Sequence, residues 1–291
     1  MSLIIENLSY TYMKGTPFEK EALKNINLEI KDGSFTGIIG HTGCGKSTLI
    51  QHFNGLLRPE KGNIYINGKL MNNSNLKEMR KQVGLVFQYP EYQLFESTVY
   101  KDIAFGIKSE KLPEDEERER VIDAARKTGL SEDLLEKSIY ELSGGQKRRA
   151  AIAGIIVMKP EILVLDEPAA GLDPAGRDDI LHFAKQLCTK SGVTVVLVSH
   201  SMEDIAKLAD HVIVMNDGTV EMDGTPRDIF KNEERLHEIG LTVPQMTSVF
   251  HRLADIFPDK DINRKIFTVE AAADEIIRLI GRKGASGEGS V

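Results

Sequence analysis

The sequence predicts an α/β fold with a mixed, mostly parallel sheet, an antiparallel β subdomain, an inserted helical subdomain and a small C-terminal helical extension. Three observations carry this. Continuous apolar runs at 83–87, 162–165, 193–198 and 212–215 have the length and composition of strands buried on both faces, as in parallel sheets. A further run at 35–39 ends at a glycine-rich loop, after which Leu49, Ile50, Phe53, Leu56 and Leu57 follow with helical spacing. Residues 96–160 then break the strand rhythm.

Taken in order, 3–12 and 23–30 mix polar and apolar residues in rough alternation, which predicts half-buried antiparallel strands beside the main sheet. Ile64, Tyr65 and Ile66 run into Asn67-Gly68, a hairpin-turn signal. The charged stretch 114–120 leads into Val121, Ala124, Ala125 and Leu130 at helical spacing. Beyond Pro226, Met246, Val249, Phe250, Leu253, Ile256 and Phe257 predict one amphipathic helix, and Val269, Ala273, Ile276, Ile277 and Ile280 a second, with Thr268 as its cap. The small, polar residues 284–291 read as a disordered tail.

The chain has 291 residues, 41% hydrophobic and 28% charged, which suits an ordinary globular protein with a sizeable core. Its longest apolar run, 150–158, is too short to span a membrane, and no secretory signal is read at the N-terminus. A formal charge of −7 disfavours a nucleic-acid backbone as partner. Two cysteines, Cys44 and Cys188, make no disulfide framework, which points to a reducing cytoplasmic compartment. The histidines show no metal-ligand spacing with cysteine, so any metal is expected to arrive with a ligand.

Gly40, His41, Thr42, Gly43, Cys44, Gly45, Lys46 and Ser47 match G-x-x-x-x-G-K-[ST] between a strand and a helix that Thr48 continues. Backbone N–H groups in such a loop point at a β-phosphate, the helix N-terminus adds positive partial charge, and Lys46 bridges the β- and γ-phosphates. Ser47 is placed to set its hydroxyl on Mg²⁺. Four apolar residues at 162–165 deliver Asp166 and Glu167 to the carboxyl edge of the sheet, where ligands of α/β proteins sit. Asp166 suits Mg²⁺ held through water. Glu167 suits a general base on the attacking water.

Leu142-Ser143-Gly144-Gly145-Gln146 opens the helix that carries 150–158, between the phosphate loop and the Asp-Glu strand. With this order of motifs the sequence resembles the ATP-binding-cassette family. The resemblance implies a P-loop NTPase core over 1–230, with the helical signature subdomain at about 89–160 and the extension at 231–283. It implies that Ser143, Gly144, Gly145 and Gln146 bind the γ-phosphate of ATP held by a second protomer. Gln88 matches the glutamine that contacts Mg²⁺ and the attacking water, Asp173 the loop that crosses the dimer interface, and His200 the histidine on the γ-phosphate. Tyr12 fits the aromatic that stacks on adenine, although Tyr10 lies on the same strand face and one of the two can be core.

The segments 87–99, 102–106 and 143–154 look like the cobalt and energy-coupling-factor subgroup. In that group, two ATPases, as a homodimer or paired paralogues, dock on a transmembrane coupling protein that works with a substrate-binding membrane component. The expected location is therefore peripheral, on the cytoplasmic face of the cell membrane. Tyr89, Tyr92 and Phe95 with Glu91 and Glu96 read as an apolar groove with acidic edges for a partner helix, or else as filling of the subdomain's own core. The expected activity is hydrolysis of ATP driving import of cobalt or another micronutrient such as a vitamin. A DNA-repair ATPase would need a long coiled-coil insertion or a basic face, a translation ATPase normally two cassettes in one chain, and a small-molecule kinase would lack 142–146 and His200.

Overall fold

The computed structural model of the chain describes residues 2–281, so the expected tail at 284–291 lies outside the described residues. β1 (Leu3–Tyr12) and β2 (Lys20–Ile30) pair antiparallel before β3 (Phe35–Gly40) leaves to found a second sheet. β4 (Lys61–Ile66) returns to the free edge of β1, and β5 (Lys69–Leu70) folds back on β4, giving the order β2-β1-β4-β5. The β4–β5 turn is Asn67-Gly68, with φ of 55° and 74°, the conformation that a two-residue hairpin demands at both positions.

The second sheet takes β6 (Val83–Val86), β7 (Ile162–Asp166), β8 (Thr194–Val198), β9 (His211–Asn216) and β10 (Thr219–Gly224) in the order β10-β9-β3-β8-β7-β6. All its pairings are parallel except β9–β10. Every residue of β3, β6, β7 and β8 is buried, which explains their unbroken apolar composition. Period-two alternation sorts their side chains between two cores. Ile162 and Val164 join α1 (Lys46–Phe53) and the antiparallel sheet on one face, whereas Leu163 and Leu165 join the helical layer on the other.

Between β4 and β6 lies α2 (Leu76–Gln82), and between β6 and β7 come α3 (Val99–Phe105), α4 (Glu114–Lys127) and α5 (Gly144–Ile156). α6 (Pro174–Ser191) and α7 (Met202–Leu208) cross between the next parallel strands. α8 (Pro226–Phe230) and α9 (Glu233–Glu238) lead to α10 (Gln245–Ile256) and α11 (Val269–Gly281), which meet around Phe250, Ile266 and Ala272. Thr268 caps α11, its hydroxyl accepting from Ala271 N at 3.2 Å.

Two elements go beyond the sequence reading. α6 has its apolar positions at helical spacing, Ile180, Leu181, Ala184, Leu187 and Cys188, and starts from the Asp173 cap with Pro174 in its first turn. β10 is half-exposed along its length, so it carries no apolar run; its signal is the turn Asp217-Gly218, both at positive φ.

Candidate functional site

The phosphate loop, the ends of β7 and β8, and the β1–β2 hairpin surround a cleft of about 300 Å³. Thr42, Gly43, Gly45, Lys46, Ser47 and Thr48 line one wall, Gln88, Asp166, Glu167 and His200 another, and Tyr12, Lys20 and Ala22 the third. The loop depends on glycine where it turns into α1. Gly45 has φ 105°, and a Cβ there would lie 2.7 Å from the carbonyl oxygen of Ala22. Lys46 is buried, and its ammonium donates to the carbonyls of Gly40 at 2.7 Å and His41 at 3.1 Å. Gly40, His41 and Cys44 do not line the cleft. Cys44 packs beneath the loop in the core, where burial pushes its thiol pKa up, so only its backbone is left to face a phosphate.

Asp166 closes β7 and lines the cleft together with Ser47. Burial raises the pKa of Asp166, against the lowering effect of Ser47 and Lys46. Glu167 follows in the left-handed region, φ 49°, held by its N–H on the Val198 carbonyl at 3.1 Å. Burial first, and then repulsion from Asp166, push its pKa up to about 7. Its Oε1 is buried without a hydrogen-bond partner, and His200 Nε2 stands 3.5 Å away. Burial also lowers the pKa of His200.

The raised pKa of Glu167 has a consequence for stability. A carboxyl that holds its proton more tightly folded than unfolded contributes stability below its unfolded pKa and loses it as pH rises through the folded value. The span from the ordinary 4.5 to about 7 corresponds to roughly 3 kcal/mol. In thermal melts, the advantage of Glu167→Gln over wild type is therefore expected to grow by several degrees between pH 5 and pH 8. A gap that stays constant would contradict the buried charge.

The two strand tyrosines separate in the structure. Tyr10 is partly buried and packs edge-on against Tyr12 and His52, each at 4.9 Å. Tyr12 lies at the mouth, 36% exposed, with its hydroxyl 3.3 Å from Thr48 Oγ1. Lys20 and Ala22 line the same wall from β2 and are residues that the sequence reading missed. Their signal is weak, because a lysine and an alanine on an alternating edge strand look like ordinary surface until the hairpin folds over the phosphate loop.

Ser143, Gly144 and Gly145 are exposed at the start of α5 and are not part of this cleft. Ser143 Oγ accepts from Gln146 N at 3.3 Å while Gln146 Oε1 accepts from Ser143 N at 2.9 Å, a reciprocal cap. Asp173 likewise stands outside the cleft and caps α6, accepting from Gly176 N at 2.7 Å. Of the residues read as a partner groove, Tyr89, Tyr92 and Phe95 are 41%, 84% and 62% exposed. They therefore do not fill the subdomain core. Glu91 requires correction: it does not form an acidic edge but turns inward, paired with the buried Arg148 at 2.7 Å.

The family model of the ABC transporter matches residues 23–170. The chain is 56% identical over 280 residues to the energy-coupling factor transporter ATP-binding protein EcfA2 of Acetivibrio thermocellus, covering 96% of this chain and 99% of that protein. It is 51% identical over 283 residues to the EcfA2 protein of Clostridium perfringens, covering 96% and 99%. Among solved structures it is similar to cbiO1 from Clostridium perfringens, part of the ABC transporter complex cbiONQ, with TM-score 0.73, 39% identity and coverage of 88% and 98%. It is also similar to the ATP-binding cassette MJ0796, solved as a dimer in a post-hydrolysis state bound to ADP and Pi, with TM-score 0.70, 30% identity and coverage of 77% and 99%. With the phosphate loop, the Asp-Glu strand end and the histidine gathered in one cleft, these likenesses show that the chain belongs to the ATP-binding-cassette family, as an ATP-binding and ATP-hydrolysing ATPase of the energy-coupling-factor transporter group.

Proposed function

We propose that this ATPase is the motor of an importer, in which ATP hydrolysis closes and reopens a pair of cassettes docked on a transmembrane coupling protein. The observation that carries the reading is the convergence of Lys46, Ser47, Asp166, Glu167 and His200 on a single cleft. The phosphate loop and Lys46 hold the β- and γ-phosphates. Glu167, with a free buried oxygen and a pKa near neutrality, takes a proton from the attacking water. His200 and Gln88 line the same cleft, which supports a role for them in orienting the γ-phosphate and that water.

Ser47, Asp166 and Gln88 offer a hydroxyl, a carboxylate and an amide oxygen, a donor set that fits Mg²⁺. Among the described residues no three His, Cys, Asp or Glu side chains gather as a metal site, so the remaining ligands would be phosphate oxygens and water. When bound, the ion would neutralise charge developing on the phosphates.

Tyr12 supplies the stacking face for adenine. Base–aromatic stacking lost on substitution by alanine is worth about 1–3 kcal/mol, so Tyr12→Ala is expected to raise the KM for ATP about 5- to 150-fold with kcat nearly unchanged. An unchanged KM would remove Tyr12 from the nucleotide site.

Among the described residues no helix is long and apolar enough to cross a membrane, and the exposed Tyr89, Tyr92 and Phe95 offer a surface for a membrane partner's helix. The cargo, cobalt or another micronutrient such as a vitamin, is selected by the membrane component. Tagging the chain in its native cell, solubilising the membranes gently and identifying what co-purifies tests the reading. Several alternative small membrane proteins around one coupling protein would mean a shared importer, one fixed component a dedicated metal system, and only soluble partners would sink the transport role.

A further inference from the structure

We propose that Arg148 is a positioning residue for ATP hydrolysis: with Glu91 it forms a buried strut that fixes the loop after Glu167 to the turn after Gln88. Arg148 is 2% exposed, the largest side chain fully enclosed among the described residues. A guanidinium in that position is costly unless its N–H groups are used, and four of the five are. Nε donates to Glu91 Oε2 at 3.0 Å and Nη2 to Glu91 Oε1 at 2.7 Å, a two-pronged pair. Nη1 donates to the carbonyls of Pro168 at 3.1 Å and Ala170 at 2.7 Å.

The two ends of the fork thus hold different segments. One grips the short 3-10 turn Pro90–Gln93, which begins two residues after Gln88 and also exposes Tyr92. The other grips the bend after β7, where Ala170 N–H closes on the Glu167 carbonyl at 3.1 Å. Glu167 itself has a positive φ and a carboxylate oxygen with no bond of its own. Beside the His200 ring at 3.5 Å, the backbone on either side helps to set its aim, and Val198 holds only the side before it. Arg148 fixes the side after it. The same arginine stands on α5, five residues from Ser143, and over the Tyr89 ring at 5.9 Å. A displacement of the exposed aromatic turn is thereby passed to the Glu167 bend through one rigid planar group. An apolar residue would fill the same volume but hold neither carbonyl, and a lysine ammonium cannot span the two loops.

The proposal rests on the catalytic reading above, so wild type and Glu167→Gln are assayed beside Arg148→Lys, Glu91→Gln and the double variant. Phosphate release is measured against ATP concentration, and thermal melts report folding. The expected result is a kcat at least tenfold lower in each strut variant, a KM for ATP within threefold of wild type, and a double variant no slower than the worse single one. Strut variants with kcat within twofold of wild type and a lowered melting temperature would reduce the pair to packing. Losses that multiply in the double variant would show that the two residues act separately. Either outcome overturns the strut while an inactive Glu167→Gln keeps the catalytic reading. A wild type without hydrolysis would overturn both. Glu91→Gln changes no volume, so it decides the matter if Arg148→Lys does not fold.

Discussion

Glu167→Gln is expected to lower ATP hydrolysis by about 10²- to 10⁴-fold, the range a positioned general base contributes, while ATP stays bound. The amide has the shape of the carboxyl and removes only its capacity to accept a proton. Nothing in the phosphate loop is disturbed, because Lys46 is held by the Gly40 and His41 carbonyls rather than by this acid. Removal of the charge also relieves the repulsion from Asp166. The variant should therefore trap the state before hydrolysis, and light scattering with ATP and Mg²⁺ should register a stable dimer where wild type cycles. Equal phosphate release by the two proteins would remove Glu167 from the chemistry.

Ser143→Arg is expected to be as damaging, although Ser143 lines no part of its own chain's cleft. Ser143, Gly144 and Gly145 stand exposed at a helix N-terminus, with open space where a side chain on either glycine would stand, a surface that a phosphate can approach closely. If that surface serves ATP held by a second cassette, an arginine side chain would block it and cost about 10²- to 10³-fold in turnover, comparable to losing a transition-state donor. Mixing Ser143→Arg with Lys46→Ala gives the sharper test. Each alone should be inactive, while a mixed dimer carries one site with both defects and one intact site, so activity should reappear. Where this chain pairs with a paralogue, the substitutions are divided between the two partners instead. No recovery in either arrangement would mean that the signature acts within its own chain.

Local chemistry was legible from the residues; tertiary pairing was not. The phosphate loop, the acids ending β7 and the hairpin at Asn67-Gly68 are each written within a few consecutive residues, and the buried parallel strands announce themselves by having no polar face. Glu91 was misread because its partner lies 57 residues away on another helix. Beside three aromatics, an acid looks like the rim of a groove, and only the packing of α5 against that turn reveals a buried cation needing a carboxylate. Lys20 was missed for the same reason, since it joins the site only when the β1–β2 hairpin is laid across the start of α1. Tyr10 and Tyr12 share a strand face, so alternation could not separate them; the depth of His52 beside Tyr10 does.

The strand order β10-β9-β3-β8-β7-β6 sets a timetable for synthesis. β3, which carries the phosphate loop, pairs only with β8 and β9, so both of its edges wait for segments that begin at Thr194 and His211. At about 5–20 residues per second, a ribosome leaves that strand bare for roughly 10–30 s. During this interval an apolar strand with two open edges stands outside any sheet, the situation that invites intermolecular pairing. The nucleotide loop is thus among the earliest parts of the cleft to be made and among the last to acquire its support. A nascent chain stalled before β8 should be protease-sensitive at the phosphate loop and should gain nothing from ATP.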